Sequence, residues 1–131
     1  GAGNATFAST VNGANALTVN STGTTTFTGA VGGTTALTSL TTNAGGTTAI
    51  NGGAVTTTGA QTYNDAAVLG ADTTLTSTGS GNITFNSTVD AAAAGAQSLT
   101  VNTSGATIFG DGSGDFIGAT TALASVTAPM P

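Results

Sequence analysis

The sequence predicts an all-β protein: a parallel β-helix, or β-solenoid, of about five to six short-stranded rungs. Three observations predict it. The chain contains a copy of its own beginning, large apolar residues return about every 20 residues, and the segments carrying them alternate apolar and polar residues before breaking at Gly-rich corners.

The copy is the organising feature. Gly3 to Phe27, GNATFASTVNGANALTVNSTGTTTF, returns at Gly81 to Phe109 as GNITFNSTVDAAAAGAQSLTVNTSGATIF. The offset is 78 residues at Gly3/Gly81 and 82 at Leu17/Leu99, and the alanine-rich insertion Ala91 to Ala94 makes up the difference. Such self-similarity marks a unit that stacks on its neighbours.

A finer period runs through the whole chain. After an initial Phe7–Val11 pair, an aliphatic residue opens each unit, an aromatic or Ile follows, and a Val or Ile comes a few residues later. The units read Leu17–Phe27–Val31, Leu37–Ile50–Val55, Val55–Tyr63–Val68, Leu75–Phe85–Val89 and Leu99–Phe109–Ile117, with a partial unit from Leu123. Successive openings are 20, 18, 20, 24 and 24 residues apart. Leu17-Thr18-Val19-Asn20 and Ile83-Thr84-Phe85 show the two-residue period of a strand, and no helical face of useful length is present. Ser21-Thr22-Gly23, Asn43-Ala44-Gly45-Gly46, Thr58-Gly59, Thr78-Gly79-Ser80-Gly81 and Ser104-Gly105 are the turn-formers between strands. Ala91 to Ala94 reads equally as one helical turn or a loop.

A unit of about 20 residues with two or three short strands suits one rung of a solenoid, stacked about 4.8 Å from the next. Small interiors favour Ala, Thr and Val, and outward Thr fits the pleat with its hydroxyl in water. The alternative is a β-sandwich filament subunit, whose strands also recur every eight to twelve residues. Sandwich strands need not resemble one another, whereas these do. Residues 1–109 form the repeat region. Residues 110–131 read as an irregular last rung with a Pro-containing cap or linker, because Pro129 and Pro131 stop strand addition.

Composition narrows the function. The chain has no Lys, Arg, His, Cys or Trp, five Asp, one Tyr and a net charge of −5. Without cations it cannot neutralise nucleic-acid phosphates or seek an anionic membrane surface. No apolar run reaches the length of a membrane span. A nucleophile–base triad has no base. The nearest carboxylate pairs, Asp65/Asp72 and Asp111/Asp115, sit among Gly, Thr and Ala with no partner to tune them. The chain therefore reads as non-enzymatic, with no catalytic residue and no cofactor.

Four weaker signals remain. Asp111-Gly112-Ser113-Gly114-Asp115 is similar to the calcium-binding nonapeptide of β-roll proteins, which makes Asp111 and Asp115 a weak calcium candidate; the motif works in tandem, and one copy is present. N-x-[S/T] sequons at Asn4, Asn20, Asn82, Asn86 and Asn102 are candidate N-glycosylation sites. Thr-Thr pairs at 24–25, 34–35, 47–48, 73–74 and 120–121 suggest an ice-binding face, although rungs of unequal length disfavour a flat array. The aromatics, with Tyr63 as the best candidate for an exposed ring, suggest a glycan-stacking stripe, although their anchor positions argue for the core.

Residues 33–66, GTTALTSLTTNAGGTTAINGGAVTTTGAQTYNDA, and 71–89, ADTTLTSTGSGNITFNSTV, resemble the repeats of filamentous-haemagglutinin-like bacterial exoproteins, the large two-partner-secreted or autotransported adhesins. The resemblance is one of Thr/Gly/Ala-rich repeat style and extends to Phe109. It implies a right-handed parallel β-helix, export across the outer membrane, and service as a stalk or adhesive surface. The expectation is a secreted, cell-surface structural protein. Its partners are copies of itself end to end or neighbouring repeats of a longer chain, with a glycan or host surface as a further candidate.

Overall fold

In the computed structural model, residues 3–110 and 117–128 are described. They form a three-sided coil of parallel strands, about five turns long, with no helix among the described residues. The first turn holds β1 (Ala5–Phe7), a bridging Val11 and β2 (Ala16–Val19). The second holds β3 (Thr24–Phe27), a bridging Val31 and β4 (Ser39–Thr42). The third holds β5 (Thr47–Ile50), β6 (Ala54–Thr57) and β7 (Gln61–Tyr63). The fourth holds β8 (Ala66–Leu69), β9 (Thr73–Ser77) and β10 (Ile83–Phe85). The fifth holds β11 (Val89–Ala91), β12 (Ser98–Asn102) and β13 (Thr107–Phe109), and a sixth begins with Ile117 and β14 (Ser125–Thr127).

The strands stack into three parallel sheets, one per face. The first face is β1-β3-β5-β8-β11, the second is β6-β9-β12-β14 extended by the Val11 and Val31 bridges, and the third is β2-β4-β7-β10-β13. The solenoid is thus the fold, and the sandwich alternative is set aside by the parallel pairing of every described strand.

Period-two alternation puts every second side chain inside. On the first face, Phe7, Phe27, Ile50, Leu69 and Ala91 make one inner ladder, and Ala5, Thr25, Thr48, Ala67 and Val89 make another. The second face contributes Val11, Val31, Val55, Leu75 and Val101. The third contributes Leu17, Leu40, Gln61 and Ile83, beside Val19, Thr42, Tyr63, Phe85 and Phe109. Fully burying one such aliphatic or aromatic side chain stabilises by about 1.5–3 kcal/mol, so these ladders dominate the energetics.

The ladders correct the sequence-based alignment of units. Phe27 and Ile50 lie on the first face, whereas Tyr63, Phe85 and Phe109 lie on the third. The aromatics among the described residues therefore form two stacks. Phe7 lies on Phe27 with centroids 5.0 Å apart; Tyr63, Phe85 and Phe109 follow one another at 5.0 and 5.5 Å. Val68 points outward, half-buried, on β8. The unequal spacing arises at the corners, where extra residues are accommodated without disturbing the ladders. Ala92 to Ala96 show this: they form an exposed turn, with the Ala93 N–H donating to Oε1 of the half-buried Gln97 at 3.1 Å, and β12 resumes the second face beyond it.

Two glycines show why corners are Gly-rich. Gly32 has φ of +72°, and a Cβ there would collide with the Thr56 carbonyl of the next turn. Gly52 lies so close over Gly29 that a Cβ would strike the Gly29 carbonyl. Stacked corners bring backbone onto backbone and leave no room for a side chain.

Candidate functional site

Polar side chains tie the corners to neighbouring turns, and their bonding identifies their role. Asn4 Oδ1 accepts the Thr24 N–H of the next turn at 2.9 Å. Its counterpart in the copy, Asn82, accepts the Ala106 N–H at 2.9 Å. Asn12 Oδ1 accepts two adjacent N–H groups, those of Thr34 and Thr35, at 2.9 and 3.0 Å. Its counterpart is Asp90, whose Oδ1 accepts the N–H groups of Thr120 and Thr121 at 2.9 and 3.0 Å. The Ser21 hydroxyl donates to the Gly3 carbonyl and accepts the Gly23 N–H at 3.2 Å. Its counterpart Thr103 donates to the Gly81 carbonyl at 2.6 Å and accepts the Gly105 N–H at 3.0 Å. Each device ties a corner to an adjacent turn by satisfying backbone groups that no sheet ladder reaches.

These bonds extend the duplication beyond the stretch identified in the sequence. Thr34-Thr35-Ala36-Leu37-Thr38-Ser39-Leu40-Thr41 returns as Thr120-Thr121-Ala122-Leu123-Ala124-Ser125-Val126-Thr127. The Gly32 N–H donates to the Val11 carbonyl as the Gly118 N–H donates to the Val89 carbonyl, each at 2.6 Å. The signal was present as TTAL-x-S-x-T, but an offset of 86 residues, unlike the earlier 78 and 82, hid it.

Counted in sides of the coil, the copy is displaced by a single constant. From β1 to β10, β2 to β12, β3 to β13 and β4 to β14 there are eleven sides, or three and two-thirds turns. Every copied strand therefore lies on a different face from its original. β1 is on the first face and β10 on the third; β2 is on the third and β12 on the second.

The interior holds two polar groups that sequence reasoning missed. Gln61 is fully buried, with Nε2 reaching the carbonyls of Val55 and Thr76 at 3.2 and 3.0 Å and Thr57 Oγ1 at 3.2 Å. Its Oε1 accepts the Tyr63 hydroxyl at 2.8 Å. Burial pushes the Tyr63 phenol far above its ordinary range. Asp65, 3% exposed, accepts the hydroxyls of Thr42 and Thr48 on Oδ1 at 2.9 and 2.7 Å. Its Oδ2 and Thr25 Oγ1 are buried with no partner. The available signal was phase: Gln61 falls two residues before Tyr63, on the inward side of the same strand.

The candidate site residues fall in different places. Asp72 is exposed and accepts the Ser98 N–H at 2.9 Å, whereas Asp65 points inward, so this pair divides into a corner acceptor and an interior group. Asp111 and Asp115 lie outside the described residues. Among the described residues no three His, Cys, Asp or Glu gather as metal ligands. Of the sequons, Asn4, Asn20, Asn82 and Asn102 are exposed. Asn86 is half-buried, with Nδ2 donating to Asn64 Oδ1 at 2.7 Å, while Asn64 Nδ2 donates to the Thr42 carbonyl at 2.8 Å.

Two surface expectations are corrected. Tyr63 is not an exposed ring; it is enclosed between turns, where stacking and its bond to Gln61 hold it. The Thr-Thr pairs do not make an outer array either, because strand alternation sends Thr25, Thr48 and Thr73 inside. A regular outer column does exist on the third face, where Thr18, Thr41, Thr62 and Thr84 stand in register over four turns, followed by Ile108. No helix among the described residues is long and apolar enough to cross a membrane. No protein-family profile matches the chain, and no curated protein or solved structure matches it significantly.

Proposed function

We propose that the chain is a non-enzymatic extracellular structural protein, a stiff coil that serves as a segment of an adhesin stalk or as a subunit of a self-assembling surface filament. One observation carries the reading: the same strands and corners recur on different faces and stack in register at each. A unit that accepts itself on any face is extendable along its axis. The absence of Lys and Arg supports a place outside the cell, since trypsin-type proteases find no site. The resemblance to haemagglutinin-like repeats supports the same reading, and the partners it names are neighbouring repeats or further copies of the chain.

Electron microscopy of the purified chain tests it. Uniform filaments select the self-assembling subunit, and discrete rods about 3 nm long at a 4.8 Å rung spacing select the stalk segment. Particles without that axial spacing overturn both.

A second reading, a surface module for ice or a glycan, rests on the column Thr18, Thr41, Thr62 and Thr84. It excludes Tyr63. Freezing-point hysteresis and glycan-array binding test it, and a null result in both leaves the column as ordinary β-branched strand surface.

A further inference from the structure

We propose that a second copy of this chain docks on the last turn in one register, turned by one third of a revolution, with Phe7 of the incoming copy stacked on Phe109. The inference rests on the self-assembling reading above and specifies its joint.

Both ends of the described coil carry strand edges that no described strand pairs: β1 and β2 at one end, β13 and β14 at the other. Such edges template strand addition. Their inner side chains are also uncovered. Ile117 and Val126, which sit on the inner ladders over Val89 and Leu99, are 37% and 42% exposed. With Ile108 they are the exposed large hydrophobics among the described residues, and all three lie at this one end. Opposite them, Ala5, Phe7, Val11 and Leu17 are only partly buried. Each end thus offers apolar side chains and unpaired backbone.

The path of the coil selects the register. The described sides follow the first, second and third faces in order and stop on the second face with β14. A strand that continues the path takes the third face, over β13. The first strand an incoming copy offers is β1, so β1 lies on β13, and its own first face continues the third face below.

The molecule already contains this contact. β10 is the copy of β1, and it lies on the third face over an aromatic strand, β7. Ile83 pairs with Gln61, Thr84 with Thr62 and Phe85 with Tyr63, and the two rings stack at 5.0 Å. Laying β1 on β13 repeats that contact, with Ala5 beside Thr107, Thr6 beside Ile108 and Phe7 over Phe109. The Tyr63–Phe85–Phe109 stack then runs on through Phe7 and Phe27 of the next copy. Val11 covers Ile117, and β2 covers Val126. The same contact repeats at each free end and, being head to tail, grows a fibre rather than closing.

The chain has no cysteine, so engineered pairs report the register. Paired residues on neighbouring strands lie about 4.8 Å apart, within disulfide reach. In the proposed joint Thr6 faces Ile108. In the unturned joint, third face on third face, Thr18 faces Ile108. All three side chains are exposed and outward, so T6C/I108C and T18C/I108C test the joint without opening the core. Circular dichroism confirms that both variants fold. The expected result under mild oxidation is a ladder of covalent multimers for T6C/I108C and at least tenfold less for T18C/I108C. Filaments that cross-link through T18C/I108C, through both pairs equally or through neither overturn the register while leaving self-assembly standing. A wild-type chain that sediments as a monomer and forms no filament overturns the underlying reading instead.

Discussion

Residues 3–42 and the described residues of 81–110 and 117–127 carry nearly the same strands and corners, yet no strand of one lies on the face used by its counterpart in the other. The corner bonds nonetheless survive almost atom for atom: Asn4 and Asn82, Asn12 and Asp90, and Ser21 and Thr103 hold equivalent backbone groups. The difference teaches that the inherited unit is the side of the coil, a short strand plus its corner, and not the turn. A side touches the sides three before and three after it, whichever face it occupies. Copying whole sides therefore preserves every ladder contact, even when the number copied is not a multiple of three. The neighbours across the interior are copied with it: β13 meets the sides of Ile117, β14, β11 and β12, as β3 meets those of Val31, β4, Val11 and β2, so the inner packing is inherited along with the ladders.

The comparison breaks first where identical sequence meets unequal surroundings. Phe27 and Phe109 are counterparts, but Phe27 is wholly buried between Phe7 and the Ile50 turn, whereas Phe109 is half-buried at the end of its stack. Phe27→Ala removes a buried ring and leaves a cavity, at an expected cost of about 3–5 kcal/mol. Phe109→Ala is expected to cost less than half of that in the monomer. Urea unfolding of the two variants checks the ratio, and equal losses would mean that the last turn is as well packed as the second. In assembled filaments the gap should narrow, because the joint covers Phe109.

How much of this was legible follows from the same logic. The strands, the Gly corners and the solenoid could be read because alternation and turn chemistry are local. The face assignment could not, because corner lengths vary and a few residues at a corner change which strand stacks on which. Phe27 and Phe85 look alike in sequence and fall on different faces for that reason. Tyr63 reads from sequence as the best candidate for an exposed glycan-stacking ring; inside the coil Gln61 Oε1 accepts its hydroxyl, a partner that sequence does not reveal. Nor did Asp72 and Asp90 announce themselves as corner acceptors, since an acceptor is recognised only once the donors of a neighbouring turn are in place.

The stretch between the copies sharpens the contrast, because it contains the interior polar network. Tyr63 is the one tyrosine in a chain without Lys, Arg, His or Cys, so no other side chain titrates in the alkaline range. Its phenol is raised by burial in the folded state. The sign follows: the unfolded phenol ionises near 10, the folded one resists, and the stability of the neutral buried form is present below about pH 10 and lost as pH rises beyond it. The expected loss is about 1.4 kcal/mol per pH unit above that point. Tyr63→Phe should abolish the slope while costing about 1–3 kcal/mol at neutral pH, because Gln61 Oε1 loses its donor. Adding Gln61→Leu removes both polar partners and should recover part of that cost. Denaturation from pH 8 to 12 checks the slope, and a slope that persists in Tyr63→Phe assigns it elsewhere.

The smallest expected effect tests whether the two copies are chemically equivalent where they differ in charge. Asn12 became Asp90, yet both side chains act through one acceptor oxygen on two N–H groups of a Thr-Thr corner. If geometry is what the corner requires, Asp90→Asn should change stability by less than about 0.5 kcal/mol, since an amide oxygen accepts the same two bonds. Asp90→Ala and Asn12→Ala should each cost about 1 kcal/mol or somewhat more, by leaving both donors to water. A thermal-melt comparison separates the cases. An Asp90→Asn loss as large as that of Asp90→Ala would mean that the carboxylate charge, and not the corner geometry, holds the last turn, and the two copies would then differ in mechanism as well as in face.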